Sequence, residues 1–158
     1  MNYTIYDLIE RLIDIEKYAL EVYKKIEENA KEKNSKNIEI ITRVIRKEEI
    51  KHIKYYEQLK EKFNYELNDT IDFYLYDKVV KLLYEFKSQI RIPHIDNAQD
   101  LIKYSLEFEK NSISLLLDIQ GRLLGNLNDV YNNVYKIISN IIEEERRHEK
   151  MFSDLVLK

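Results

Sequence analysis

The stretch EEIKHIKYYEQL, residues 48–59, decides how this chain is read. Together with Ile45 just before it, the stretch sets Ile45, Glu49, His52, Tyr56 and Leu59 on one stripe, at spacings that alternate between four and three. That is the helical period, and a stripe of this kind faces a core. Here the stripe carries a carboxylate and an imidazole one turn apart. Glu49 and His52 therefore form a Glu-x-x-His pair whose side chains can address one interior point.

The same pattern returns near the end of the chain. Residues 144–155 read EERRHEKMFSDL, and the stripe there is Val134, Ile138, Ile141, Glu145, His148, Phe152 and Leu155. Two further segments carry a lone acid in an equivalent place. IEKYALEVYKKI (15–26) supplies the stripe Leu12, Glu16, Ala19, Tyr23 and Ile26, and FEKNSISLLLDI (108–119) supplies Ile102, Ser105, Glu109, Ser112, Leu116 and Ile119. The two lone glutamates are 93 residues apart, and the two Glu-x-x-His pairs are 96 apart. A duplicated helix pair with approximate two-fold symmetry accounts for this register.

Around these stripes the periodicity predicts four long helices, at about residues 4–32, 36–63, 97–123 and 128–156. Asn34 and Ser35 separate the first two, Gly125, Asn126 and Asn128 separate the last two, and Asp96 or Asn97 is placed to cap the third. Short breaks make each pair an antiparallel hairpin, and residues 64–96 form a long crossover between the pairs. Within the crossover, residues 71–90 have the character of a helix, and Pro93 marks an extended stretch. With only 2 Gly and 1 Pro, 44% hydrophobic and 35% charged residues, the composition suits long helices, and 158 residues suit one all-α domain, residues 1–158, with a single core.

Composition also excludes several functions. The net charge of −3 is spread over interspersed signs, so neither a nucleic-acid stripe nor an acidic tail is present. The opening MNYTIYDLIERLIDIEK places acids where a signal peptide needs an apolar run, and no run is long enough for a bilayer; a soluble, cytoplasmic protein is expected, without membrane contact. The chain has no cysteine, so a metal site must use His, Asp and Glu.

Four carboxylates on core stripes repel one another and lose hydration unless something positive joins them. Two divalent cations balance four glutamates, and two neutral imidazoles add nitrogen ligands. Mixed carboxylate and imidazole ligation suits iron or manganese, with zinc possible. The plain alternative is that these acids stand at a solvated rim as ordinary helix pairs. Glu48 and Glu144 precede the two motifs and are expected to face solvent, although a register slip of one would exchange them with their neighbours. His94 has no acid at ligand spacing and reads as a surface histidine, while the 13 tyrosines serve packing first.

With these residues the chain resembles the ferritin-like di-iron carboxylate proteins, and among them the rubrerythrins and the shorter erythrins. That family takes one Glu from each of two helices and a Glu-x-x-His from each of the other two, which corresponds to Glu16, Glu109, Glu49 with His52, and Glu145 with His148. The EK steps at Glu16 and Glu109 are also rubrerythrin-like. The resemblance implies a ferritin-like four-helix bundle with Glu49 and Glu145 bridging two metal ions. Glu16 and His52 would complete one ion, and Glu109 and His148 the other. Tyr23, seven residues after Glu16, would hydrogen-bond a ligand carboxylate, or else serve as a plain core aromatic.

The pattern also departs from the family. Leu106 and Ser112 stand where rubrerythrins carry an extra acid, and without cysteine there is no rubredoxin-type iron. The resemblance implies reduction of hydrogen peroxide in oxidative-stress defence, with dioxygen as the other oxidant, a separate electron-donor protein and a homodimer. Two other functions stay open: a ferroxidase or iron-storage protein, and a non-catalytic helical interaction module.

Overall fold

A computed structural model of the chain describes residues 3–62, 70–125 and 133–156. In order, the elements are β1 (Tyr3–Thr4), α1 (Ile5–Glu32), α2 (Lys36–Lys62), β2 (Thr70–Ile71), α3 (Phe73–Gln89), α4 (Ala98–Leu123) and α5 (Asn133–Val156). The architecture is all-helical, apart from a two-residue antiparallel pairing of β1 with β2 that the sequence did not announce.

The helix ends follow from local chemistry. Thr4 and Asp7 form a reciprocal capping box on α1. At the other end Asn34 adopts a φ of 57°, a left-handed conformation that asparagine tolerates. Ser35 N–H then reaches back to Ala30 O at 2.9 Å, and Asn34 N–H to Lys31 O at 3.2 Å, satisfying carbonyls the helix would otherwise leave open. Of the two candidate caps for α4, Asn97 serves, accepting from Asp100 N–H at 2.9 Å. Asn126 and Asn128, expected to separate the last two helices, lie outside the described residues, as do residue 63 and residues 128–132 of the expected helix ranges.

Side-chain pairs fix how the helices run. Between α1 and α2, Glu10 meets Lys60, Glu16 meets His52, and Glu27 meets Arg43 and Arg46; one series ascends while the other descends, so these helices are antiparallel. Glu109 with His148, and Gln120 with Ser139, show the same for α4 and α5. The hairpins join through Tyr23 to Ser105 and through His52 and Tyr56 to Glu145. Helix α3 lies in the crossover and packs on α1 and α4. One apolar cluster draws on all five helices, with Ile9, Ile45, Val79, Leu101 and Ile141 among its members. Full burial of a residue of this size contributes about 1.5–3 kcal/mol. Leu155 departs from its expected stripe: it is exposed, whereas Phe152, one turn earlier, is buried. Among the described residues no helix is long and apolar enough to cross a membrane.

Candidate metal centre

Each of four helices contributes one acid at a core position, and two of them add an imidazole one turn on. Glu16 comes from α1, Glu49 and His52 from α2, Glu109 from α4, and Glu145 and His148 from α5. None is at a solvated rim. Glu49, His52, Glu109 and Glu145 are 1% exposed, Glu16 4% and His148 5%.

The six side chains converge. His52 Nδ1 lies 3.6 Å from Glu16 Oε2 and 3.9 Å from Glu49 Oε2, and its Nε2 lies 3.2 Å from Glu145 Oε1. His148 Nδ1 lies 3.6 Å from Glu109 Oε1, and the two imidazole rings stand 4.6 Å apart. Ligand atoms of Glu49, His52 and His148 fall within 4.8 Å of one another, as do those of Glu16, His52 and Glu145. Glu109 enters neither trio and meets the centre through His148.

Electrostatics make this grouping costly without a cation. Burial, then the charges of Glu145 and Glu49, pushes the Glu16 carboxyl well above its ordinary pKa. Burial and the Glu145 charge do the same to Glu109. Burial lowers the pKa of His52, but the facing carboxylates of Glu145 and Glu49 outweigh it and leave the net shift upward. Burial, followed by the charge of His52, depresses His148. Among the described residues, both oxygens of Glu109, both nitrogens of His52, Nδ1 of His148 and one oxygen each of Glu16, Glu49 and Glu145 have no hydrogen-bond partner. Buried polar atoms seldom go unsatisfied, and this many in one place fit a metal's donor set. The buried Glu and His groups can hold a metal ion.

The surroundings differ in part from the sequence expectation. Tyr23 is buried, but its hydroxyl donates to Ser105 Oγ at 2.9 Å rather than to a ligand carboxylate. Tyr56 takes that part instead, donating to Glu145 Oε1 at 2.5 Å while its ring stands edge-on to His52 at 4.5 Å. Its signal was in the sequence, since Tyr56 follows Glu49 by seven residues as Tyr23 follows Glu16. Glu48 is half-buried rather than fully solvent-facing and pairs with exposed Lys51 at 2.8 Å. Glu144 is half-buried, salt-bridged to Arg147 and 3.8 Å from His148 Nε2, so it faces the back of a candidate ligand. His94 is exposed and pairs with Asp96 at 2.8 Å, far from ligand geometry.

Comparison with protein-family models, curated proteins and solved structures finds no match to this chain.

Proposed function

We propose that α1, α2, α4 and α5 form a ferritin-like four-helix bundle holding two metal ions, iron first and manganese or zinc as alternatives, in a rubrerythrin-like or erythrin-like redox protein that reduces hydrogen peroxide. The observation that carries this reading is the convergence of four buried glutamates and two buried histidines whose ligand atoms are left without partners. Four negative charges against two divalent cations close the balance that a single ion would leave open.

Glu16 and His52 would hold one ion and Glu109 and His148 the other, a division supported by the 3.6 Å approach within each pair. Glu49 and Glu145 would bridge. When bound as ferrous ions, the metals supply the two electrons that an O–O bond needs for cleavage. The chain's own residues do the rest. Tyr56 fixes Glu145 through its hydroxyl, and Glu144 faces Nε2 of His148, a placement that favours Nδ1 as the ligating nitrogen. The surrounding Leu12, Tyr23, Ile45, Leu116 and Ile141 are at most 5% exposed and keep bulk water from the ligands. Electrons would come from a separate donor protein, and the working form would be a homodimer.

The test is rapid mixing of the iron-loaded, reduced protein with hydrogen peroxide and, separately, with air. Much faster oxidation by peroxide supports the reading. Fast oxidation by air alone, in a particle far larger than a dimer, places the chain with iron storage instead.

A further inference from the structure

Two cavities share a wall made by Phe86 of α3 and Leu115 of α4. The inner one has a volume of about 10 Å³ and is lined by Glu16 and Glu145 from the candidate metal centre and by Tyr56 and Ser112. Only the smallest molecules fit a space of that size. The outer one is a groove of about 510 Å³ between α3 and α4, whose exposed Arg91, Glu107 and Asn111 open it to solvent.

Ser112 gives the inner cavity a polar feature that packing does not require. A buried helical serine or threonine ordinarily bonds a carbonyl one turn back, as Thr42 does to Ile38 O at 2.6 Å. Ser112 is 5% exposed, yet its Oγ has no partner, and the equivalent position in α1 is Ala19. The wall itself is apolar. Phe86 is half-buried, tilted against Phe108 at 6.0 Å, and comes from the crossover helix rather than from a helix that supplies a ligand.

We propose that the inner cavity is the oxidant pocket of the centre, admitting only a two-oxygen molecule, dioxygen or hydrogen peroxide, beside the hydroxyls of Tyr56 and Ser112. The molecule enters from the α3–α4 groove past Phe86, which sets the size limit. Helix α3 thereby supplies the gate. The inference rests on the reading of the centre as a redox metal site, and the experiment separates the two.

The probe is dissolved dioxygen acting on the full chain without metal, with isoleucine and leucine methyls labelled for NMR. Paramagnetic relaxation should be severalfold stronger at Leu12, Ile15 and Leu116, which line the inner cavity, than at Leu59 and Ile142, which are no more deeply buried but line neither cavity. Phe86→Trp should reduce that excess severalfold and Phe86→Leu should increase it, with Leu115→Trp as the second blocking variant should Phe86→Trp fail to fold. Equal relaxation at both methyl groups, or an excess that none of the variants alters, overturns the route. The iron-loaded protein supplies the other arm, with hydrogen peroxide compared against a bulky organic hydroperoxide. Phe86→Leu should narrow the preference for the small peroxide severalfold. Consumption of peroxide with the same preference in every variant overturns the gate and leaves the redox reading standing. Gated entry of dioxygen into a protein that, once loaded with iron, consumes neither oxidant supports the route and removes the redox reading.

Discussion

The Tyr56 hydroxyl donates a 2.5 Å hydrogen bond to Glu145 Oε1, tying α2 to α5 across the centre of the molecule. It gives one oxygen of a wholly buried carboxylate a partner, while the other, Oε2, has none. The bond is not repeated by symmetry, because the residue equivalent to Tyr56 in α5 is Phe152. The two halves of the site are therefore unequal.

Tyr56→Phe should destabilise the metal-free protein by about 1–3 kcal/mol, the cost of leaving a buried acceptor unsatisfied with little change in shape. Urea unfolding checks this. A loss below about 0.5 kcal/mol, the range of an ordinary surface substitution, would show that the bond contributes nothing to the fold.

Stability of the metal-free protein should fall as pH rises from the ordinary carboxylate range. Glu16 and Glu109 have folded pKa values well above the ordinary 4.5, so their contribution is complete below that value and is lost as pH climbs through the folded pKa values. His52, shifted upward, adds loss in the same direction above 6.5. His148, shifted downward, acts oppositely: its contribution is complete above 6.5 and declines as the pH drops below it. Bound metal replaces the protons and should flatten the carboxylate-driven decline. Thermal melting with and without iron across pH 5 to 8 reads this directly, and matching slopes would contradict it.

Glu27 should give the opposite pH dependence. It is buried and salt-bridged to Arg43, Arg46 and Lys31 near the α1–α2 turn. Burial works against its charge, but Arg46 and then Arg43 and Lys31 overcome that and hold its pKa below the ordinary value. Its contribution is present above 4.5 and lost as pH falls through the folded pKa. Glu27→Gln should cost about 1.5–3 kcal/mol at neutral pH, the range for hydrogen bonds to charged groups, and much less in acid. Urea midpoints at the two pH values provide the check.

Much of this arrangement was legible before any coordinates. The four-and-three spacing placed Glu16, Glu49, His52, Glu109, Glu145 and His148 on core stripes, and all six are buried. Asn34 and Ser35 marked the first turn because few residues other than asparagine and glycine accept a positive φ. The helical character of the crossover was readable too, and α3 spans Phe73–Gln89. What periodicity does not convey is the partner of each polar group. Tyr23 and Tyr56 occupy matching stripe positions, yet one meets the hydroxyl of Ser105 and the other the carboxylate of Glu145. The stripe places Glu144 on the solvent side, because a stripe read from spacing has sharp edges. On a real helix a flanking side chain can curl toward a neighbouring imidazole, as Glu144 does toward His148.

The most direct measurement is the iron content per chain, by elemental analysis, of protein purified after expression with iron, alongside Glu49→Ala and Glu48→Ala. Glu49 is buried among the ligands, whereas Glu48 is half-buried and bonded to exposed Lys51. The expected result is about two ions in the unaltered chain and in Glu48→Ala, and at most about one in Glu49→Ala. No retained metal in the unaltered chain, or the same content in Glu49→Ala, would contradict the account.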